Sequence, residues 1–523
     1  MAHLTLVSRM DARNQILSMP DTEMKKLLLE VFRLLDVAPT IRQRVQDDLD
    51  RAARAGKKTR LVDAVDRVSG VPTLPGMEVM TVQEARSLDS EGLVLGIGRP
   101  RALDGEAICV LAMCRAHLDS VTSKTALDRL HDSMTLRAYL EGRGMSMPSR
   151  STMHAGVNCI SKATYEYILD AQLAMVLHEG LDRFDTVTAD SFSVWANTSW
   201  PTESATIHGL LARAWAIASK LSAIGVPSFA AGPVSLWLDR LRSLDRQIAF
   251  ACGKPNSKRK IRRLYKKLFG RAELLLRRLD RQFERLLPAW QSAVASLPVR
   301  ARDRVGQKID QMMCDLAAAA RVVAYSRTRV VDGESVPMSE KVLSLSDGSA
   351  AYIKKGERDP VIGYKPQVMR SRNGFVTAFE LQQGNPNDAA RLVPLTQQHI
   401  KRTGLVPGGL SVDDGYSSAS NRAVLLGMSI RVVSMNGAKG KKLTPDCEWD
   451  SPDYEQARDD RSAVESLVFT LRYKFHLYRF SRRGVEDVEI EMYEKIIAHN
   501  LWRASLLREH AAAHIQAARP KAA

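Results

Sequence analysis

Aromatic residues make up only 6% of this 523-residue chain, and its six cysteines (Cys109, Cys114, Cys159, Cys252, Cys314, Cys447) stand far apart with no Cys-x-x-Cys pair. That spacing excludes a zinc knuckle and a disulfide framework. No run of about 18 apolar residues occurs, so nothing reads as a membrane span. The start, Met1 to Arg13, carries charges early and lacks the apolar core of a signal peptide. A cytoplasmic location and no membrane partner are therefore expected. Acids are short as well: 59 Asp plus Glu face 76 Lys plus Arg, a formal charge of +17. Such an excess draws polyanions and steers a protein toward phosphate backbones, which makes nucleic acid the leading partner. What is present is ordinary for a soluble globular protein, 45% apolar and 26% charged, at a length that suits two or three domains.

The first third reads as helices. Met24, Leu27, Leu28, Val31, Phe32 and Leu35 recur at helical spacing within Asp21–Ala55, with Pro39 as a stop and Gly70–Gly76 as a joint. A second helical block runs from Gly105 to about Gly180. Within it Thr125–Leu140, Arg143-Gly144 and Ser149–Ile160 can be read as a helix-turn-helix entering a DNA groove, or as a hairpin that merely packs. Thr186–Val194 changes to β-branched residues and reads as a strand. Helical periodicity then returns from His208 to Val323. Inside that stretch, Lys254–Arg285 holds 13 basic residues against 3 acidic ones. Ile261, Leu264, Leu268, Leu275, Leu279 and Phe283 recur beneath these charges, so the segment is an amphipathic helix. Lys258, Arg259, Lys260, Arg262 and Arg263 on its outer face either track DNA phosphates or are simply solvated.

Beyond Val330 the pattern turns to strands, at Val342–Leu345, Ala350–Lys354, Val361–Val368 and Phe375–Leu381, the last two joined by a hairpin turn at Ser371–Gly374. Asp388–Thr403 reads as a helix stopped by Gly404, Leu410–Asp413 as a strand, Ser418–Gly427 as a helix and Ile430–Met435 as a strand. Asp459–Lys474 and Val485–Arg508 read as closing helices. With the helical stretch taken out, this is the element order of a ribonuclease H-like domain, a mixed sheet flanked by helices.

Three acids stand at element ends where such a fold would gather them: Asp190 in a strand, Asp413 at a strand end and Glu465 on a helix. Phosphodiester chemistry needs clustered carboxylates, because hard oxygen ligands hold a pair of Mg²⁺ or Mn²⁺ ions. The flanking residues carry a resemblance. TADSFSVWANTSWPTESATIHGLL (Thr188–Leu211) has a strand Asp followed by Ser and then by Pro201, Thr202, Glu203 and Ser204. SVDDGYSSASN (Ser411–Asn421) carries Asp-x-Gly-Tyr with a nearby Asn, and RSAVESLVFTLRYKF (Arg461–Phe475) has Arg, three residues, Glu, six residues and a base. Together these resemble the three motifs of the insertion-sequence DDE transposases over roughly Leu118–Arg508. Arg472 stands where that family usually has Lys, and Arg458 where it has Tyr. Ala498–Leu501 resembles the family's closing helix, with His499 in a structural role.

The resemblance implies a DNA transposase that cleaves element ends and transfers strands into target DNA, with Asp190, Asp413 and Glu465 as catalytic and metal-ligating residues for two Mg²⁺ (or Mn²⁺) ions. Asp414 would fill the variable slot, and the three carboxylates would converge within reach of a shared metal pair. Arg461 and Arg472, on the face of Glu465, would meet DNA phosphates. Double-stranded DNA, self-association on paired ends and a place at the nucleoid are also implied. The expected layout is a helical N-terminal region at 1–180, helix-turn-helix-like near 125–160, then a catalytic domain of 181–207 plus 326–510, a helical basic insertion at 208–325 and a tail at 511–523. Two alternatives stay open: a ribonuclease H-like nuclease or resolvase that does not join ends, and a non-catalytic transposase-derived DNA-binding protein.

Overall fold

The computed structural model describes residues 13–20, 22–68, 80–88, 102–118, 123–198, 202–223, 226, 234–297, 299–354 and 359–518. The joint expected at Gly70–Gly76 and the motif residue Pro201 lie outside them. The chain divides into two compact units, one made of Met1–Ala52, Gly96–Asn197 and Ser349–Ala523, the other of Ala53–Leu95 and Thr198–Gly348.

The first unit is a mixed sheet flanked by helices. Its strands are β1 (Thr186–Ser191), β5 (Gln367–Ser371), β6 (Val376–Glu380), β7 (Gly409–Val412) and β8 (Val432–Met435), in the order β6-β5-β1-β7-β8. β1, β7 and β8 run parallel, and β5 is antiparallel to both β1 and β6. The hairpin expected at Ser371–Gly374 joins β5 to β6. Val187, Ala189, Met369, Leu410, Val412, Val433 and Met435 form its core with Leu392, Leu395 and Tyr416.

A smaller sheet, β2 (Val194–Trp195), β4 (Val361–Tyr364) and β3 (Ala351–Ile353), lies beside it. Two expected strands are therefore each two strands. Thr186–Val194 divides at Phe192-Ser193, and Val361–Val368 divides at Lys365-Pro366, where the imide has no N–H to give to a ladder. At both breaks the chain passes from one sheet to the other.

Several helical readings also shift. The first helical stretch breaks at Pro39 as expected, into Glu23–Val37 and Thr40–Val68, but the second helix runs past Ala55; Thr22 caps the first by accepting from the Lys25 amide. The helix of the 388–403 segment begins at Leu392, behind a single 3-10 turn, and ends at Gly404 in the left-handed conformation. Asp459–Lys474 is parts of two helices, Pro452–Asp460 and Ser462–Tyr473, which meet at Arg461. The last helix runs on from Val485 to Ala518, into the segment expected as a tail, and packs on helices Glu23–Val37, Gly105–His117 and Lys162–His178.

The second unit is helical. Glu203–Ala223, Val234–Ala251, Lys258–Ala295 and Val299–Arg327 enclose a core that includes Leu241, Leu268, Phe269, Trp290, Met312 and Val322. Arg213 and the buried Asp315 join two of these helices at 2.6 Å. Val342–Leu345 forms no strand: Val342 and Leu345 lie against this helical core, so their apolarity reflects packing and not a ladder.

Candidate active site

β1 and β7 end side by side. Their parallel register pairs Ala189 with Val412, so the next residues, Asp190 and Asp413, are neighbours at the strand ends. Partners across parallel strands project from the same face. Asp190 is 7% exposed and accepts from the Ser191 amide at 2.6 Å. Asp413 accepts from the Gly415 amide at 3.0 Å and so caps the single turn Asp414–Tyr416.

Successive strand residues point opposite ways, and Asp414 does turn elsewhere. Its carboxylate accepts from the amides of Lys439 and Gly440, both at 3.0 Å, and from the Ser417 hydroxyl at 3.1 Å. Gly437, at φ 119°, lets the backbone pass so close that a Cβ there would lie 2.5 Å from the Asp414 carboxyl carbon. Asp414 is a structural clasp.

The rest of the Asp-x-Gly-Tyr segment is explained by packing. Tyr416 is fully buried and its hydroxyl donates to Gln367 Oε1 on β5. Burial, and then the nearby Asp388, Asp190 and Asp413, push its pKa far above the usual tyrosine range, so it remains a donor. Gln367 in turn donates to Asp388 at 2.7 Å, and Lys365 pairs with Asp388 at 2.8 Å. Asn421 holds the loop from the other side through the carbonyls of Ala389 and Tyr416, at 2.7 and 3.2 Å.

Glu465 comes from helix Ser462–Tyr473, whose Val464, Leu467 and Leu471 are buried and which packs against β1. Arg461 lies between the acids, with Nη1 at 3.0 Å from Glu465 Oε1 and Nη2 at 3.8 Å from Asp190 Oδ2. Arg472 donates to the Ser193 carbonyl at 2.7 Å and sits over the Phe192 ring. One cavity of about 620 Å³ is lined by Asp190, Asp413, Glu465, Arg461 and Arg472, together with Asp359, Phe469 and Tyr473. The three acids singled out from sequence are thus brought to one cleft. Convergence on a metal pair is not what the geometry gives: among the described residues no group of three His, Cys, Asp or Glu stands close enough to hold one ion. Glu465 is turned to Arg461.

Residues 326–501 match the family model described as transposase DDE domain. The match bears out the resemblance and spans the second and third of its motifs. The matched segment contains Asp413, Glu465, Arg461 and Arg472, while Asp190 lies before it. No curated protein and no solved structure matches the chain.

The other sequence candidates fall elsewhere. Lys258, Arg259, Lys260, Arg262 and Arg263 open helix Lys258–Ala295 of the helical unit and are all exposed, with Arg262 donating to the Val331 carbonyl. Thr202, Glu203 and Ser204 serve that unit's packing: Thr202 accepts from the Ala205 amide, Glu203 pairs with Arg329 at 2.6 Å and Ser204 donates to Asp245 at 2.6 Å. His499 is buried against Phe475 and Trp502, and burial brings its pKa down to about 4, in keeping with a structural role. Helices Ser123–Asp132, Met134–Glu141 and Arg150–Val157 occupy the 125–160 segment. No helix among the described residues is long and apolar enough to cross a membrane. Sequence reasoning missed Asp359 and the pair Phe469 and Tyr473. The 469, 473 spacing, one turn apart after Glu465, was the available signal.

Proposed function

We propose that the protein is a DNA transposase of ribonuclease H-like fold, which cuts element ends and joins them to target DNA with Asp190, Asp413 and Glu465 as its catalytic carboxylates. The observation that supports this best is the pairing of Asp190 and Asp413 at the ends of parallel neighbours β1 and β7, with Glu465 on the wall of the same cavity. The donors suit Mg²⁺ or Mn²⁺ in kind, being carboxylate oxygens with no Cys or His among the lining residues. A two-ion site here would be held by Asp190, Asp413 and Glu465, with Glu465 turning from Arg461 toward the aspartates. When bound, such ions supply activation of the attacking oxygen and stabilisation of the leaving one.

The remaining work belongs to the protein's own groups. Asp190 and Asp413 are fixed by strand ends and amide hydrogen bonds, so these two carboxylates are aligned before DNA arrives. Arg461 and Arg472 place guanidinium charge at the phosphate and orient it. Tyr416, Gln367 and Asp388 brace the floor. In this reading the parts of 181–207 and 326–510 that lie in the sheet-bearing unit form the catalytic domain, the exposed bases from Lys258 to Arg263 in the 208–325 insertion hold DNA by its backbone, and the 125–160 helices contact the element end. The protein acts as a homo-oligomer on double-stranded DNA at the nucleoid.

The test uses duplexes carrying the inverted repeats that flank the coding region. Mg²⁺-dependent release of a 3′-hydroxyl end, and transfer of pre-cleaved ends into plasmid, is the expected result. Cleavage without transfer would replace the transposase by a nuclease, and neither activity in the presence of tight DNA binding would leave a DNA-binding protein.

A further inference from the structure

Helix Ser462–Tyr473 already has a core face, Val464, Leu467 and Leu471, all buried. Phe469 and Tyr473 do not belong to it. Each is 63% exposed, their ring centroids are 4.5 Å apart with planes tilted by 43°, and both line the cavity of Asp190, Asp413 and Glu465. Residues 465, 469 and 473 follow one another at steps of four, so acid and rings form one stripe along the helix.

We propose that Phe469 and Tyr473 form a stacking platform for unpaired DNA bases beside the carboxylates, an inference that rests on the reading of this cleft as a DNA-cleaving site. Base faces and aromatic faces stack with little regard to sequence, which suits a platform next to a backbone reaction. The rings stand about 6 and 12 Å along the helix from Glu465, which corresponds to about two to four nucleotides at about 3.4 Å per nucleotide. Since bases inside a duplex are already stacked, the strand must be unpaired where it meets the rings.

The surroundings favour a nucleic-acid strand over an apolar protein partner. Arg461, Arg472 and four acids share the cavity with the rings, and an apolar surface laid over them would bury those charges without partners. A DNA strand brings anionic phosphates for the arginines and flat apolar bases for the rings. The contact between the rings also holds each in place, which lowers the cost of ordering them on binding.

The experiment uses the full-length protein and a thymidine oligomer of about 16 nucleotides, with one 2-aminopurine placed at successive positions, and a blunt duplex of the same length. Wild type and the Asp190→Asn protein should both quench the probe, because stacking does not need cleavage. Phe469→Ala with Tyr473→Ala should lose the quenching and about tenfold or more in affinity for the oligomer, with duplex affinity and the salt dependence unchanged. Phe469→Trp with Tyr473→Trp should restore both. Wild-type affinity and quenching in the double Ala protein would overturn the platform while leaving cleavage to decide the enzyme. A change in oligomeric state in the double Ala protein, seen by sedimentation, would overturn it too, by showing the rings to be a subunit contact.

Discussion

Glu465 and Glu494 are both helix glutamates facing arginine, and they differ in almost everything else. Glu494 is buried in the helical layer, 2.7 Å from Arg482 and 2.9 Å from the Tyr165 hydroxyl, with Arg115 as a further partner. Burial alone would raise its pKa, but Arg115 and Arg482 outweigh it and hold the carboxyl below the usual range. Glu465 leaves 64% of its side chain to solvent and meets Arg461, one helical turn before it, at 3.0 Å on the wall of an open cleft. Glu106, between Arg42 and Arg143, and Glu30, against Arg508, repeat the buried arrangement. A charge enclosed by its counter-charges is fixed and serves the fold. A charge at a cavity wall with a long, exposed side chain can exchange its partner for a substrate or an ion, and it is at such walls that chemistry is possible.

The sharpest break of that comparison is substitution at the two kinds of acid. Asp190→Asn, Asp413→Asn and Glu465→Gln should each lower end cleavage by more than about a thousandfold and combine with little additional loss, as members of one unit do. Their thermal midpoints should stay close to wild type. Glu494→Gln should do the reverse, leaving the cleft residues untouched while destabilising the fold by about 3–5 kcal/mol, because the buried Arg115 and the partly buried Arg482 lose their counter-charge. Denaturant melts and cleavage assays on the same four proteins decide it; a Glu494→Gln protein as stable as wild type would show the buried network to be dispensable.

Acid should act on the fold through the same layer. His399 and His499 are buried, which brings each pKa from 6.5 down to about 4. Between those values the unfolded chain binds protons that the folded one refuses, so stability falls as pH drops from about 6.5 to about 4 and levels below it. The loss is on the order of 3 kcal/mol per histidine. Glu494, held low, adds a loss only below the ordinary glutamate value of 4.5. Melts of His499→Gln should show a shallower slope between pH 6.5 and 4; an unchanged slope would place the titration elsewhere.

Asp413 and Asp414 give the comparison at one peptide's distance. Asp414→Ala should cost about 1–2 kcal/mol of stability by freeing the amides of Lys439 and Gly440 and should retain cleavage, whereas Asp413→Ala should abolish cleavage. Equal losses of activity in two well-folded proteins would remove the distinction drawn from the strand ends.

How much of this was legible follows from what each feature depends on. β1, β7, β8 and the helix after them could be read because short apolar runs bounded by turn residues report burial directly, and the pairing of Asp190 with Asp413 follows once β1 and β7 are parallel neighbours. The crossings between sheets at Phe192-Ser193 and Lys365-Pro366 were not legible, since periodicity registers alternation but not which sheet receives the strand. Val342 and Leu345 misled because an apolar pair packed on helices looks like a strand. Arg461 was read as a phosphate contact from its spacing to Glu465; that it also reaches Asp190 depends on the helix meeting β1, a tertiary fact. Phe469 and Tyr473 drew no notice because spacing alone cannot say which of two apolar helix faces is buried.

The smallest expected effect concerns charges that are neither enclosed nor at the cleft. Lys258, Arg259 and Lys260 begin a helix whose inner face, including Leu264, Leu268 and Leu275, is buried in the helical unit, while the three themselves are exposed. Removing them should leave the core as it is, so stability should move by no more than about 0.5 kcal/mol. If they track phosphates, each contact releases about 0.9 counterion, and Lys258→Gln with Arg259→Gln and Lys260→Gln should flatten the plot of log affinity against log salt by up to about 3 for any duplex, whatever its sequence. Titrations across a salt series on two unrelated duplexes measure this. A slope equal to wild type on both would make the face a solvated one, and a loss confined to one sequence would make it a reader of bases.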